Sequence, residues 1–337
     1  MSARATGRGA ERAAQPGALA ALGVAVALPA ALASAAWIVG QLVADRWAWA
    51  QWLFWTPAWA MAVGALAGAM AARAWLPRGA FARIAFWSCA VAFAWASGRF
   101  ALTDVGWAGQ AKPGPGDITV THWNPQWPGE EALGCGRALA SVLGDVAVVS
   151  GPGSMLRFDA RSAWLPPGYV AHDHGMFGVI SRLPVVDHRI LASVSMPDVG
   201  TIWLAWVVVR TEGGEDLHVL AVDLPSSPRR ARGTIAEGLR SVLAEVRLPA
   251  APDLVLGDLN CTPGSVILPV AAPSMSPAPP WRSSGWLCTY WRPWPVLRID
   301  HMLAGRRVQW VGYRTADLGY SDHRAQVGTI RMAPGNP

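Results

Sequence analysis

Leu254-Val-Leu-Gly-Asp-Leu-Asn-Cys-Thr-Pro263 is a short apolar run closed by a glycine and then by a carboxylate and an amide, Asp258 and Asn260. A continuous apolar run of this length, bounded by turn residues, reads as a strand buried on both faces. By itself Gly-Asp-Leu-Asn is commonly no more than a turn, since glycine, aspartate and asparagine lead the turn residues. The stretch gains meaning because other strand-like runs end the same way. Ile118-Thr-Val-Thr-His-Trp closes on Asn124, Leu-Arg-Ile leads into Asp300, and Ser-Asp-His-Arg places Asp322 and His323 at the opening of the last run. Carboxylates and amides gathered at one end of a sandwich offer hard oxygen ligands for Mg²⁺ or Mn²⁺, and a histidine oriented by a carboxylate can stabilise or protonate a phosphate oxygen.

The surrounding chain fits that picture. Runs rich in Val, Ile and Trp, separated by Gly, Pro and Asp, predict strands at 117–123, 145–150, 177–182, 186–195, 201–211, 216–223, 253–258, 297–304, 307–314 and 324–331. Only 131–143 and 230–247 show helical patterning, the latter with Ile235, Leu239, Val242, Leu243 and Val246 on one face. Many strands and few helices predict packed sheets with helices outside, an α+β sandwich. The proline-rich segment 271–281 reads as an irregular surface loop. The segment 105–116, with Gly-Gln-Ala-Lys-Pro-Gly-Pro-Gly at 109–116, reads as a linker, and the soluble domain then covers 117–333.

Before the linker the composition is that of a membrane protein. The 337 residues are 52% hydrophobic and 15% charged, and the net charge of +6 resides almost entirely in the first third: residues 1–104 carry eight Arg against three acids, and 105–337 carry twenty bases against nineteen acids. A basic footprint for nucleic acid is therefore absent from the soluble part, where Arg229, Arg230 and Arg232 form the only dense cluster. No charge interrupts the chain between Arg12 and Asp45 or between Arg46 and Arg73, each longer than the ~20 residues that cross hydrocarbon. A third run, Ile84–Gly98, lies between Arg83 and Arg99, whose side chains can snorkel. Three spans are expected within 16–104. Arg4, Arg8 and Arg12 before the first span, and Arg73, Arg78 and Arg83 between the second and third, put residues 1–15 in the cytoplasm and the C-terminal domain in the periplasm or outside the cell. Trp37, Trp47, Trp49, Trp52, Trp55, Trp59 and Trp75 suit an interfacial belt. No acid, Lys or His lies within a span, which disfavours transport and leaves anchoring. Cys89, Cys135, Cys261 and Cys288 show no CxxC spacing, and free buried thiols are expected.

Six pieces, in order, resemble the endonuclease/exonuclease/phosphatase superfamily of DNase I, AP endonucleases, neutral sphingomyelinases and inositol phosphatases. They are 118–124, Gly-Asp-Val-Ala-Val-Val (144–149), Gly-Met-Phe-Gly-Val-Ile-Ser-Arg-Leu-Pro (175–184), 254–263, Arg-Ile-Asp-His (298–301) and 321–324. The resemblance implies a DNase I-like four-layer α/β/β/α sandwich preceded by three transmembrane helices, and a metal-dependent attack of water on phosphorus. It implies that Asp258 activates or positions water, that Asn260 and His323 contact the phosphate, that Asp300 orients a catalytic His, that Asn124 helps bind the metal site, and that Asp322 serves at the metal site or pairs with His323. Two positions depart from the family. Where it carries an acidic metal ligand this chain has Gly151, after Ser150, and where it carries a His this chain has Asp223. Either Asp223 joins a rearranged metal site in a working membrane-anchored phosphoesterase, or the domain is degenerate and serves as a tethered binding or scaffolding module. The anchor places the bilayer among the partners and favours a phospholipid headgroup or small phosphoester over nucleic acid as substrate.

Overall fold

The computed structural model describes residues 16–76, 78–110 and 112–333. The expected cytoplasmic residues 1–15, with Arg4, Arg8 and Arg12, lie outside them. The chain forms two compact units. One comprises the chain up to Val39 together with Ala58–Ser97, and the other comprises Gly40–Pro57 together with the chain from Gly98 onward.

Four N-terminal helices are α1 (Pro16–Val43), α2 (Ala48–Phe54), α3 (Ala58–Trp75) and α4 (Ala80–Arg99). In the first unit α1, α3 and α4 meet through small residues, with Ala27, Ala71, Ala72 and Ala85 in one cluster and Ala65, Ala69, Cys89 and Ala92 in another. Small side chains let helix backbones approach closely where no hydrophobic effect drives them together. Large apolar residues such as Leu32, Val63 and Ile84 are exposed. Two helices, Leu19–Val43 and Ala80–Asp104, are long and apolar enough to cross a membrane. The second expected span is not one rod: α2 and α3 meet at 73°, broken before Pro57, and only the bent pair together would make a third span. Trp37 is also no belt residue, being buried with its ring edge-on to Trp95 at 6.0 Å.

The second unit carries the strands β1 (Val105–Trp107), β2 (Asp117–Trp123), β3 (Val146–Ser150), β4 (Val170–His174), β5 (Phe177–Ser181), β6 (Val185–Met196), β7 (Gly200–Arg210), β8 (Asp216–Asp223), β9 (Leu254–Asp258), β10 (Ser276–Pro277), β11 (Ser283–Trp286), β12 (Asp300–Ala304), β13 (Val308–Ala316) and β14 (Ala325–Met332). One sheet has the order β1-β11-β13-β14-β2-β3-β5-β4 and the other β10-β12-β9-β8-β7-β6. Their inner faces share a core containing Val120, Val148, Val179, Val207, Leu256 and Met302. Helix α5 (Ala132–Ala140) covers the outer face of the first sheet through Cys135 and Leu139, and α7 (Arg232–Val246), after the single turn α6 (Phe158–Arg161), covers the second through Ile235, Leu239 and Val242. These layers make the expected α/β/β/α sandwich. Strands β3, β5 and β9 are buried along their whole length, which is why their sequences are nearly continuous apolar runs rather than alternating ones.

The expected linker is shorter than 105–116, because Val105–Trp107 pairs with β11 and belongs to the sheet. All four cysteines are free and buried, as expected.

Candidate active site

Three neighbouring strands of the second sheet place an aspartate at the same end: β8 and β9 close on Asp223 and Asp258, and the antiparallel β12 opens on Asp300. Antiparallel pairing sets Asp258 of β9 opposite Asp300 of β12. Parallel pairing sets Leu256 opposite Ala221 of β8, and two residues further along both strands come Asp258 and Asp223. The glycine before Asp258 is required by geometry. Gly257 has φ +145°, and a Cβ there would lie 1.8 Å from the Val222 carbonyl oxygen.

The turn before β14 brings His323 from the other sheet onto this row. Its Nδ1–H donates to Asp300 Oδ2 at 2.9 Å, and its Nε2 lies 3.7 Å from both Asp258 Oδ2 and Asp322 Oδ1. Tyr290 flanks the imidazole, with ring centres 5.1 Å apart. Asn124, at the end of β2, donates from Nδ2 to Asp258 Oδ2 at 2.9 Å while its Oδ1 accepts from the Gln126 amide. Its amide thus orients Asp258. Asn260 uses its backbone N–H on Asp258 Oδ1 and one side-chain N–H on the Leu224 carbonyl, leaving the second N–H of its amide. Asn124, Asp223, Asp258, Asn260 and His323 line one cavity of 860 Å³, with Asp300 fully buried beneath it.

Charge is concentrated here. Burial pulls the His323 imidazolium down, but Asp300 and then Asp258 outweigh it and hold its pKa at about 10. Burial, reinforced by Asp300, pushes Asp258 up to about 7 against His323 and the bonds from Asn124 and Asn260. The same burial, with Asp258 and Asp300, raises Asp223 well above the carboxylate range. Asp300 stays low despite its burial because His323 is so close. Four carboxyl groups surround one imidazolium. Asp300 Oδ1 and Asp322 Oδ1 are buried without a hydrogen-bond partner. Asp258, Asp300 and His323 also place one potential ligand atom each within 4.8 Å of one another. Hard oxygen donors gathered this closely fit a divalent cation, which would favour their ionised forms.

Position 151 offers it nothing. Gly151 sits just past β3 at φ +57°, and a Cβ would lie 3.1 Å from Nε1 of the Trp127 indole, so the ring occupies the room of a side chain there.

Two features were missed from sequence. Behind the site, Tyr313 Oη donates to Gln326 Oε1, Gln326 Nε2 to His122 Nδ1, and His122 Nε2–H to Ser150 Oγ, a chain closed by 3.2 Å at its longest. Burial lowers His122 to about 4, so it is the neutral link of that chain. The second feature is the segment 44–57, whose Trp52 and Trp55 line the cavity. Val266 N–H donates to Asp45 Oδ1 at 3.1 Å, and the Arg232 guanidinium stands 4.8 Å over the Trp55 ring while its Nε–H reaches the Asn260 carbonyl at 2.7 Å. The belt reading of the tryptophans hid this docking, and no sequence periodicity marks it.

No curated protein sequence matches the chain. Among solved structures it is similar to the endonuclease/exonuclease/phosphatase from Beutenbergia cavernae, at 20% identity and TM-score 0.47 over 64% of this chain and 72% of that one. It is also similar to the endonuclease/exonuclease/phosphatase from Bacteroides vulgatus, at 18% identity and TM-score 0.47 over 64% and 99%. A third likeness is to the 3′ phosphatase NExo from Neisseria, solved with product DNA hairpin, at 16% identity and TM-score 0.42 over 63% and 98%. The sequence pattern of the Endonuclease/Exonuclease/phosphatase family matches residues 138–323, more than half of the 337, and runs from α5 to the histidine that faces Asp258. The chain belongs to the endonuclease/exonuclease/phosphatase family.

Proposed function

We propose that the chain is a membrane-anchored phosphoester hydrolase that works outside the cytoplasm with a divalent ion, Mg²⁺ or Mn²⁺. The observation that carries the reading is the convergence of Asp258, His323, Asn260 and Asn124 on one cavity over the buried Asp300. Asp258, fixed by Asn124 and the Asn260 amide, positions the attacking water and takes its proton. His323, charged and turned by Asp300 at Nδ1, presents Nε2–H to a phosphoryl oxygen, and Asn260 offers its remaining N–H to another. Asp223, Asp258 and Asp322 would hold the ion, which when bound polarises the phosphoryl group and offsets the carboxylate charge. Asp223 then supplies a carboxylate that position 151 lacks.

The outward side rests on the arginine asymmetry, with Arg73, Arg78 and Arg83 between the second and third expected spans.

The test is hydrolysis of bis(4-nitrophenyl) phosphate by the detergent-purified full chain with Mg²⁺, with Mn²⁺ and with chelator. Metal-dependent turnover that falls ~10²–10⁴-fold in Asp258→Asn is expected, that being the usual cost of removing a transition-state group. Full turnover in the variant refutes the assignment. Trp127 beside Gly151 favours the second reading, a degenerate binding module, and absence of turnover with every ion would select it.

A further inference from the structure

We infer that the phosphoester taken by this site is an amphiphile, its phosphate at Asn260 and His323 and its apolar part against Trp52 and Trp127. The inference rests on the hydrolase reading and adds the substrate class to it.

The cavity is too apolar for a phosphate alone. Its lining includes Trp52, Trp55, Trp127 and Trp203, with Met176, Leu224 and Leu297. Trp52 is 57% exposed and Trp127 55% exposed, so two large indoles of the lining stand uncovered. Exposed aromatic rings beside a cavity are the feature a ligand's apolar group would cover.

Asn260, which keeps one amide N–H free, is fixed from behind by a buried cation: the Arg232 guanidinium, against the Trp55 ring, donates from Nε to the Asn260 carbonyl and from Nη1 to the Ser227 and Arg230 carbonyls. The cavity therefore joins the amide of Asn260 and the imidazole of His323 to a set of indoles, the two kinds of contact an alkyl phosphoester needs.

Delivery follows from the chain path. Trp52 and Trp55 lie on the segment between α1 and α3, so part of the pocket wall is continuous in sequence with apolar helices at both ends. Trp47 and Trp49, stacked with ring centres 6.1 Å apart, are exposed on the same short segment. Indoles at this density suit the headgroup level of a bilayer.

The test compares methyl 4-nitrophenyl phosphate with dodecyl 4-nitrophenyl phosphate on the full chain in nanodiscs. In both, water forms the new P–O bond, the bond to 4-nitrophenolate breaks, and an alkyl phosphate remains with the released proton in solvent. The parent is expected to favour the dodecyl ester at least tenfold in kcat/KM, and Trp52→Ser with Trp127→Ser to reduce that preference at least fivefold. Presenting the dodecyl ester in vesicles and in mixed micelles separates a bilayer-resident substrate from a dispersed one. A parent without preference, or a preference untouched in the double variant, overturns the proposal. If neither ester is hydrolysed the hydrolase reading fails instead, and calorimetric titration of the full chain with dodecyl phosphate and methyl phosphate decides: tighter dodecyl phosphate binding that the double variant loses sustains an amphiphile site, and equal or absent binding overturns it.

Discussion

Replacing Asp300 by Asn isolates the charge that holds His323 protonated. The Nδ1–Oδ2 separation is 2.9 Å, and the second carboxylate, Asp258, stands at 3.7 Å from Nε2. With charge spread over ring and carboxylate the effective separation is about 5 Å, and at an effective dielectric near 20 this gives about 3 kcal/mol, or roughly 2–3 pKa units. Since His323 stands at about 10, Asp300→Asn should bring it down by roughly that much, leaving Asp258 as the remaining partner. The measurement is a nitrogen-detected NMR titration of the imidazole in the full chain in chelator. Stability should move with it. A base raised from 6.5 to about 10 contributes stability fully below pH 6.5 and loses it as pH climbs through 10, so the parent should show a falling Tm across that window and the variant a fall that is smaller and completed at lower pH. A His323 pKa changed by less than about half a unit would refute the pairing as the cause.

Asp223→His and Asp223→Ala should both weaken divalent-ion binding by calorimetry, and equal affinity in parent and variants would remove Asp223 from the ion site. Gly151→Glu should be destabilising by at least the roughly 1–2 kcal/mol of a left-handed non-glycine residue, with relief of the clash but not of the backbone cost when combined with Trp127→Ala; denaturant midpoints check this. Gly257→Ala should yield misfolded protein, since its methyl would overlap the Val222 carbonyl, and a normal melting curve would contradict the strand geometry. Asp117 is held below its usual range chiefly by the bond from Arg331, so its contribution is present above about pH 4 and lost as pH falls through the lower folded value; Asp117→Asn should flatten the acid limb of Tm against pH.

How far the site could be read from sequence depended on what each residue needed. Asp258, Asn260, Asp300 and His323 end or open strands whose burial makes the runs visible, and the ordered pieces identified their company. Ten expected strands appear within three residues at each end, while β1, β4, β10 and β11, which are short or lie at sheet edges, carried too little apolar pattern to be seen. The docking of segment 44–57 was not legible in the sequence for a physical reason. Tryptophan suits a membrane interface and a pocket wall equally, and what separates the two is a tertiary contact, Arg232 over Trp55, between residues 177 positions apart.

Strand β14 pairs with β13 on one side and β2 on the other, in the middle of its sheet. Until the ribosome has released β14, β2 has an open hydrogen-bonding edge, and so does β13. Such edges recruit other strands, and a chain halted at this stage should be prone to aggregate and attractive to proteases and holdases. Because the turn that opens β14 also carries His323, the candidate site is assembled only with the same event that seals the sheet, so incomplete chains lack it as well as being exposed.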